Sequence, residues 1–204
     1  MERGLALLSG GIDSPVAIHL MKDRLDLVTA HFHQLPLTDQ KEIDKVKELG
    51  RILGLKKIYL APFTPVLQAI VEHCAHKNYF ILQKIALMKA AEIIAEKEGA
   101  HYLITGENLG QVSSQTLSNL ISITKHVSLE ILRPLLTYDK EEIIKAAKKI
   151  GTYEISAGPE ICCLLGPKHP ATSSDPAAIG KELEKLDLQE LLEESVGKAE
   201  IFSW

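Results

Sequence analysis

The chain contains no run approaching 18 uncharged apolar residues, which excludes an ordinary membrane-spanning helix. Its first residues, Met1-Glu2-Arg3-Gly4, lead straight into a short apolar stretch and do not form a secretion signal. Positive charge is not in excess: 23 Lys and Arg against 27 Asp and Glu give a formal net charge of -4. Bulk charge therefore cannot hold nucleic acid, and any RNA contact must be a local patch or be supplied by a partner. Cysteine is scarce and odd in number, three residues with Cys162 and Cys163 adjacent, which fits reduced thiols with a chemical or metal-binding role better than a secreted disulfide framework. Repeats and low-complexity tracts are missing too. Together these absences predict a soluble, cytoplasmic protein, and 204 residues at 46% hydrophobic and 25% charged content suit a single domain with one sizeable core.

What is present is an alternation of strand and helix patterns. An apolar run at 5–8 ends in a glycine loop, and residues 15–22 read as the first turns of a helix. A second strand pattern covers 25–32, and parallel strands joined by a helix form a βαβ unit. Residues 39–53 read as a helix and 57–61 as a third strand. Helical spacing from 65 to 98 has an interruption near 73–78, and strand patterns follow at 102–105 and 127–132. Residues 139–150 read as a helix capped by Asp139, with Glu141 and Glu142 where carboxylates suit the dipole. Residues 158–176, with four prolines, two glycines and both adjacent cysteines, form a loop, and 182–194 return to helical spacing. The expected fold is an open, mostly parallel α/β sheet with helices on both faces.

The loop Ser9-Gly10-Gly11-Ile12-Asp13-Ser14 sits where strand hands over to helix, so its backbone N–H groups can converge on an anion, for which phosphate is the natural candidate. It lacks the Gly-Lys-Ser/Thr ending of P-loop NTPases and the G-x-G-x-x-G dinucleotide pattern. It has instead the PP-loop form of ATP pyrophosphatases, an adenine nucleotide alpha-hydrolase-like fold. A plain strand-to-helix turn capped by Ser14 is the alternative. Asp13 beside a phosphate cradle would repel the ligand without a cation, so it reads as a Mg²⁺-side residue, direct or through water.

Four segments in order resemble the sulfurtransferase family that makes 4-thiouridine in tRNA and serves thiazole synthesis, often called ThiI. They are the glycine loop with its flanks, Gly106-Glu107-Asn108-Leu109-Gly110-Gln111-Val112-Ser113-Ser114-Gln115-Thr116-Leu117-Ser118-Asn119-Leu120, Arg133-Pro134-Leu135-Leu136-Thr137-Tyr138-Asp139-Lys140-Glu141-Glu142-Ile143, and Pro159-Glu160-Ile161-Cys162-Cys163. The resemblance implies that Leu8 and Ser9 lie at the nucleotide, that His31, Phe32 and His33 flank the adenine, and that Gly106 and Gln115 close the ATP pocket. Lys84 falls at a basic ATP-contact position, although Ile85 replaces the family's usual second basic residue. Without the resemblance, His31 and His33 would read as structural or solvent-facing. Lys140 matches a lysine required for activity, suited to neutralising charge as pyrophosphate leaves; alone it would be a surface lysine paired with Asp139.

The same resemblance makes Cys162 the sulfur-handling cysteine, as a persulfide or transient disulfide, with Lys140 or Lys168 placed to lower its pKa. Cys163 reads as a resolving thiol. Cys74, Cys162 and Cys163 are together candidate ligands of a [4Fe–4S] cluster, although no C-x-x-C pair is present. Implied catalytic residues are thus Asp13, Lys140 and Cys162, with Leu8, Ser9, Gly10, Gly11, Asp13, Ser14, His31, Phe32, His33, Lys84, Gly106 and Gln115 at the nucleotide. The implied activity is ATP-dependent adenylation of a uracil oxygen in tRNA and its replacement by sulfur from a cysteine desulfurase persulfide or sulfide. No THUMP or rhodanese domain is expected within these residues, so tRNA would arrive through a separate RNA-binding subunit. A homo-oligomer is compatible with the pattern, and no membrane contact is expected. The alternatives are thiolation of a small molecule, such as a thiamine precursor or nucleobase, and a non-catalytic nucleotide-binding subunit.

Overall fold

The computed structural model describes residues 1–158 and 165–204. Its centre is a six-stranded sheet of order β5-β4-β1-β2-β3-β6. Strands β1 (Arg3–Leu7), β2 (Asp26–His33), β3 (Lys57–Pro62), β4 (Tyr102–Ile104) and β5 (Glu130–Leu132) run parallel. Strand β6 (Glu200–Ser203) closes the β3 edge antiparallel. Parallel central strands need cover on both faces, and the core accordingly divides into two layers. One face carries helices α1 (Asp13–Met21), α2 (Lys41–Leu53), α6 (Lys140–Lys149) and the short α7 (Tyr153–Ser156); the other carries α3 (Thr64–His73), α4 (Tyr79–Glu98), α5 (Leu117–Lys125), α8 (Pro176–Leu183) and α9 (Leu188–Gly197). Among the described residues no helix is long and apolar enough to cross a membrane.

Local chemistry accounts for most boundaries. Helix α2 buries Ile43, Val46, Leu49 and Leu53 at helical spacing and stops at Gly54, whose φ of 69° suits a residue without Cβ. Asp139 and Glu142 form a reciprocal capping box at α6, with N···O distances of 2.9 and 2.8 Å. The interruption expected near 73–78 is a 3₁₀ turn, His76–Asn78, between α3 and α4.

Two expectations need correction. Residues 182–194 are not one helix: α8 ends at Leu183 and α9 begins at Leu188, because Leu183, Leu186, Leu188 and Leu191 all pack against the core only if the chain turns between them. The strand at 200–203 had no counterpart in the sequence reading. Edge strands need few buried side chains, and Ile201 is indeed exposed, so period-2 patterning is weak there. The strand expected over 127–132 is shorter, Glu130–Leu132.

At the N-terminal edge of the sheet, Lys57 Nζ donates to Glu98 Oε1 at 2.6 Å, and the Tyr59 hydroxyl donates to the same carboxylate. Burial, and then Glu98, push the Tyr59 hydroxyl up to about 12 from an ordinary 10.0. A raised phenol pKa contributes stability that is complete below the unfolded value and lost as pH rises toward the folded one. The chain should therefore lose on the order of 2 kcal/mol between about pH 10 and 12. Tyr59→Phe removes that loss, so urea midpoints of the two proteins should converge as pH rises through this window. Parallel curves would show that the phenol is not linked to folding.

Candidate active site

Strand order reverses between β1 and β4, and in open parallel sheets the crevice beyond the carboxyl ends at such a reversal receives ligands. A cavity of about 660 Å³ lies there, bounded by the loop after β1, by Thr105 and Gly106 after β4, by the first turns of α2 and by Lys84 of α4.

The loop after β1 is organised by its two serines. Ser14 Oγ accepts from Ser9 N at 2.8 Å and lies 3.0 Å from Ser9 Oγ, while Gly11 N donates to Ser9 Oγ at 3.3 Å. Among the described residues no side chain caps the start of α1, and amides in that position can receive an anion. Gly106 presses against this start: a Cβ there would lie 2.6 Å from Ser14 N and 2.8 Å from Asp13 C, both backbone atoms. From the other side, Ser156 Oγ donates to the Gly11 carbonyl at 3.2 Å.

Most charges around the cavity are paired. Lys140 Nζ reaches Asp13 Oδ1 at 3.1 Å from a smaller cleft of about 340 Å³. Glu107, 1% exposed, accepts from Arg133 Nε at 2.9 Å and faces Lys84 Nζ at 3.5 Å. A buried carboxylate would be costly unpaired, so Glu107 and Arg133 form a fixed mount for Lys84. His31 is buried, with Nδ1 2.9 Å from the Leu8 carbonyl and Nε2 3.5 Å from Glu42 Oε1. A carbonyl only accepts, so Nδ1 carries a proton and Leu8 is held to β2. Burial pushes the Glu42 carboxyl up, but His31 and the Thr38 hydroxyl, which donates to Oε2, outweigh it and leave the group below its ordinary value. At 3.5 Å the His31 contact is electrostatic, and Thr38 supplies the direct hydrogen bond.

A family model described as thiamine biosynthesis protein (ThiI) matches residues 1–188. The chain belongs to the ThiI family. Its relatives include probable tRNA sulfurtransferases of Moorella thermoacetica, 43% identical over 98% of this chain and 53% of that protein, and of Coxiella burnetii, 42% identical over 97% and 52%. A solved structure of a 4-thiouridine synthetase–RNA complex with bound ATP superposes with a TM-score of 0.94 at 36% identity, covering 98% of this chain and 55% of that one. An NMN synthetase from Francisella tularensis, 17% identical with a TM-score of 0.61, shares the fold alone. This ThiI-family chain spans about half the length of the curated relatives it matches.

Most residues expected at the nucleotide line the ThiI-family cavity: Leu8, Ser9, Gly10, Gly11, Asp13, Ser14, His31, Phe32, Lys84, Gly106 and Gln115. Gln115 is buried, and its Oε1 has no hydrogen-bond partner among the described residues. His33 lies outside the lining of this cavity, and burial and then His31 lower its pKa. Lys140 pairs with Asp13 and not, as its neighbour in sequence suggested, with Asp139. Cys74 closes α3, its Sγ donating to the Glu182 carbonyl at 3.4 Å, and burial and then Glu182 push the thiol up. That setting suits a protonated thiol. Among the described residues no group of three or more His, Cys, Asp or Glu is arranged to hold a metal. Cys162 and Cys163 lie outside the described residues, four and five positions beyond Gly158, which lines the cavity. Sequence reasoning missed Glu42, Lys45 and the Glu107–Arg133 mount. The first two were reachable, since the opening turns of a helix after a parallel strand sit at the ligand edge.

Proposed function

We propose that this chain is the catalytic part of an ATP-dependent tRNA sulfurtransferase that makes 4-thiouridine. The observation that carries the reading is the self-bonded glycine loop facing a cavity at the strand-order reversal, with Gly106 against its backbone and Lys140 on Asp13. ATP lies with its phosphates over residues 9–14 and its adenine toward His31 and Phe32. The uracil O4 attacks the α-phosphorus, pyrophosphate leaves, and Lys140 neutralises the charge that gathers on it. Asp13 offers a hard oxygen donor at the cavity wall and so fits Mg²⁺, which when bound would neutralise phosphate charge.

Sulfur then enters from a Cys162 persulfide. Its terminal sulfur bonds to C4 as AMP departs with the oxygen, and a second thiol, for which Cys163 is placed by sequence, attacks Cys162 Sγ. The Sγ–S bond breaks, leaving the thiocarbonyl on the base and a disulfide on the protein. No step is routed through a cluster. Support for tRNA as substrate comes from the likeness to tRNA sulfurtransferases and to the RNA-bound synthetase. A net charge of -4 favours delivery by a separate RNA-binding partner, since RNA affinity rests on phosphate neutralisation. The persulfide arises when the Cys162 thiolate takes the outer sulfur of a cysteine desulfurase persulfide, whose own cysteine leaves as a thiol; sulfide, the other donor, would instead attack C4 directly as AMP departs.

The test is pyrophosphate release and thiouridine formation with unmodified tRNA. Cys162→Ser should still release pyrophosphate yet yield no thiolated tRNA, whereas Cys163→Ser should be milder, because a thiol reductant in the assay can attack Cys162 Sγ in its place. Thiouridine formed by Cys162→Ser at the unaltered rate would remove the persulfide step.

A further inference from the structure

Among the cations lining the cavity, Lys84 faces Glu107 and Lys41 faces Asp39, whereas Lys45 has no carboxylate within 4 Å among the described residues. Its ammonium donates to one neutral acceptor, the Ser156 carbonyl, at 3.1 Å. Its aliphatic stem lies across the glycine loop, so that a Cβ on Gly10 would come 3.1 Å from Lys45 Cδ and 3.7 Å from Nζ. The absence of a side chain at residue 10 is therefore what lets this lysine reach over the loop. It stands one turn inside α2, on the side facing the ligand edge of the sheet. A partly enclosed ammonium with a single neutral partner, beside amides that no side chain caps, marks a place where negative charge is missing.

Resting on the reading that ATP occupies this cavity, we infer that Lys45 binds the phosphate chain of ATP beyond the α-phosphate, exchanging the Ser156 carbonyl for a phosphate oxygen. A charged acceptor replaces a neutral one, so the exchange is favourable. Ser156 keeps its place when the lysine leaves, because its own hydroxyl stays on the Gly11 carbonyl at 3.2 Å.

Calorimetric titration of the whole chain with α,β-methylene-ATP and with AMP tests this on the unaltered protein, Lys45→Met and Lys45→Arg, with thermal midpoints to verify folding. Methionine keeps the stem and removes the charge. Lys45→Met should lose about ten- to hundredfold in affinity for the ATP analogue, the worth of one or two charge-assisted hydrogen bonds. AMP should bind within about twofold of the unaltered protein, and Lys45→Arg should recover part of the loss. Equal binding of the analogue by Lys45→Met overturns the inference. So does a matching loss for AMP, which would make Lys45 a support of the loop. If the unaltered chain binds neither nucleotide, the ATP reading itself falls and the inference falls with it.

Discussion

Asp13→Ala should reduce ATP-dependent pyrophosphate release by at least about a hundredfold while leaving the fold nearly unchanged. Its carboxylate makes one ion pair among the described residues, to Lys140 at 3.1 Å, and the two side chains are 26% and 49% exposed. A pair so wet contributes about 0 to 1 kcal/mol, so urea or thermal midpoints should barely move. On the proposed placement of ATP the cost to chemistry is larger, because the carboxylate would stand where a triphosphate brings several negative charges. Without it the site would lose an oxygen donor for a cation, and Lys140 loses the group that keeps it at the loop. Lys140→Met provides the comparison: if both residues act on the departing pyrophosphate, the double variant should be little worse than the poorer single one, as for groups acting as a unit. Turnover by Asp13→Ala at the unaltered rate would remove the assignment of the loop as the site of adenylation.

The second large effect is expected at Gly106. A methyl there would meet Ser14 N, Asp13 C and Ser14 Cα at 2.6, 2.8 and 2.9 Å. All three are backbone atoms, so no rotamer change relieves the overlap; either β4 or the start of α1 must shift. Overpacking of this kind costs about 1 to 3 kcal/mol. The shift also falls on the amides proposed to take phosphate, and a displacement of about 1 Å can cost a hundredfold in rate. Gly106→Ala should therefore lower both the thermal midpoint and pyrophosphate release. Gly197→Ala is the control: its Cβ would face open space at the end of α9, and neither quantity should fall. A Gly106→Ala protein with unaltered ATP affinity would show that the packing of β4 on α1 does not shape the site.

Much of this molecule was legible as a string of residues because the signals are local. Ser9-Gly10-Gly11-Ile12-Asp13-Ser14 between an apolar run and a helix, the Asp139–Glu142 cap, the break between α3 and α4, and the regular alternation of strand and helix each depend on neighbours within about one turn. Whatever depends on which elements meet was decided only in three dimensions. The antiparallel β6 pairs with β3 across some 140 residues and exposes much of its side-chain surface, so no periodicity announces it. Lys140 chooses Asp13, 127 positions away, over its adjacent carboxylate because α6 packs beside α1. His31 and His33 share one face of β2, yet only His31 lies at the cavity, since the crevice follows the strand-order reversal and not the strand's own alternation. Lys45 illustrates the limit most clearly. In sequence it is one lysine among several on a charged helix, and its ammonium acquires meaning only when packing sets it across Gly10 with no carboxylate within 4 Å among the described residues.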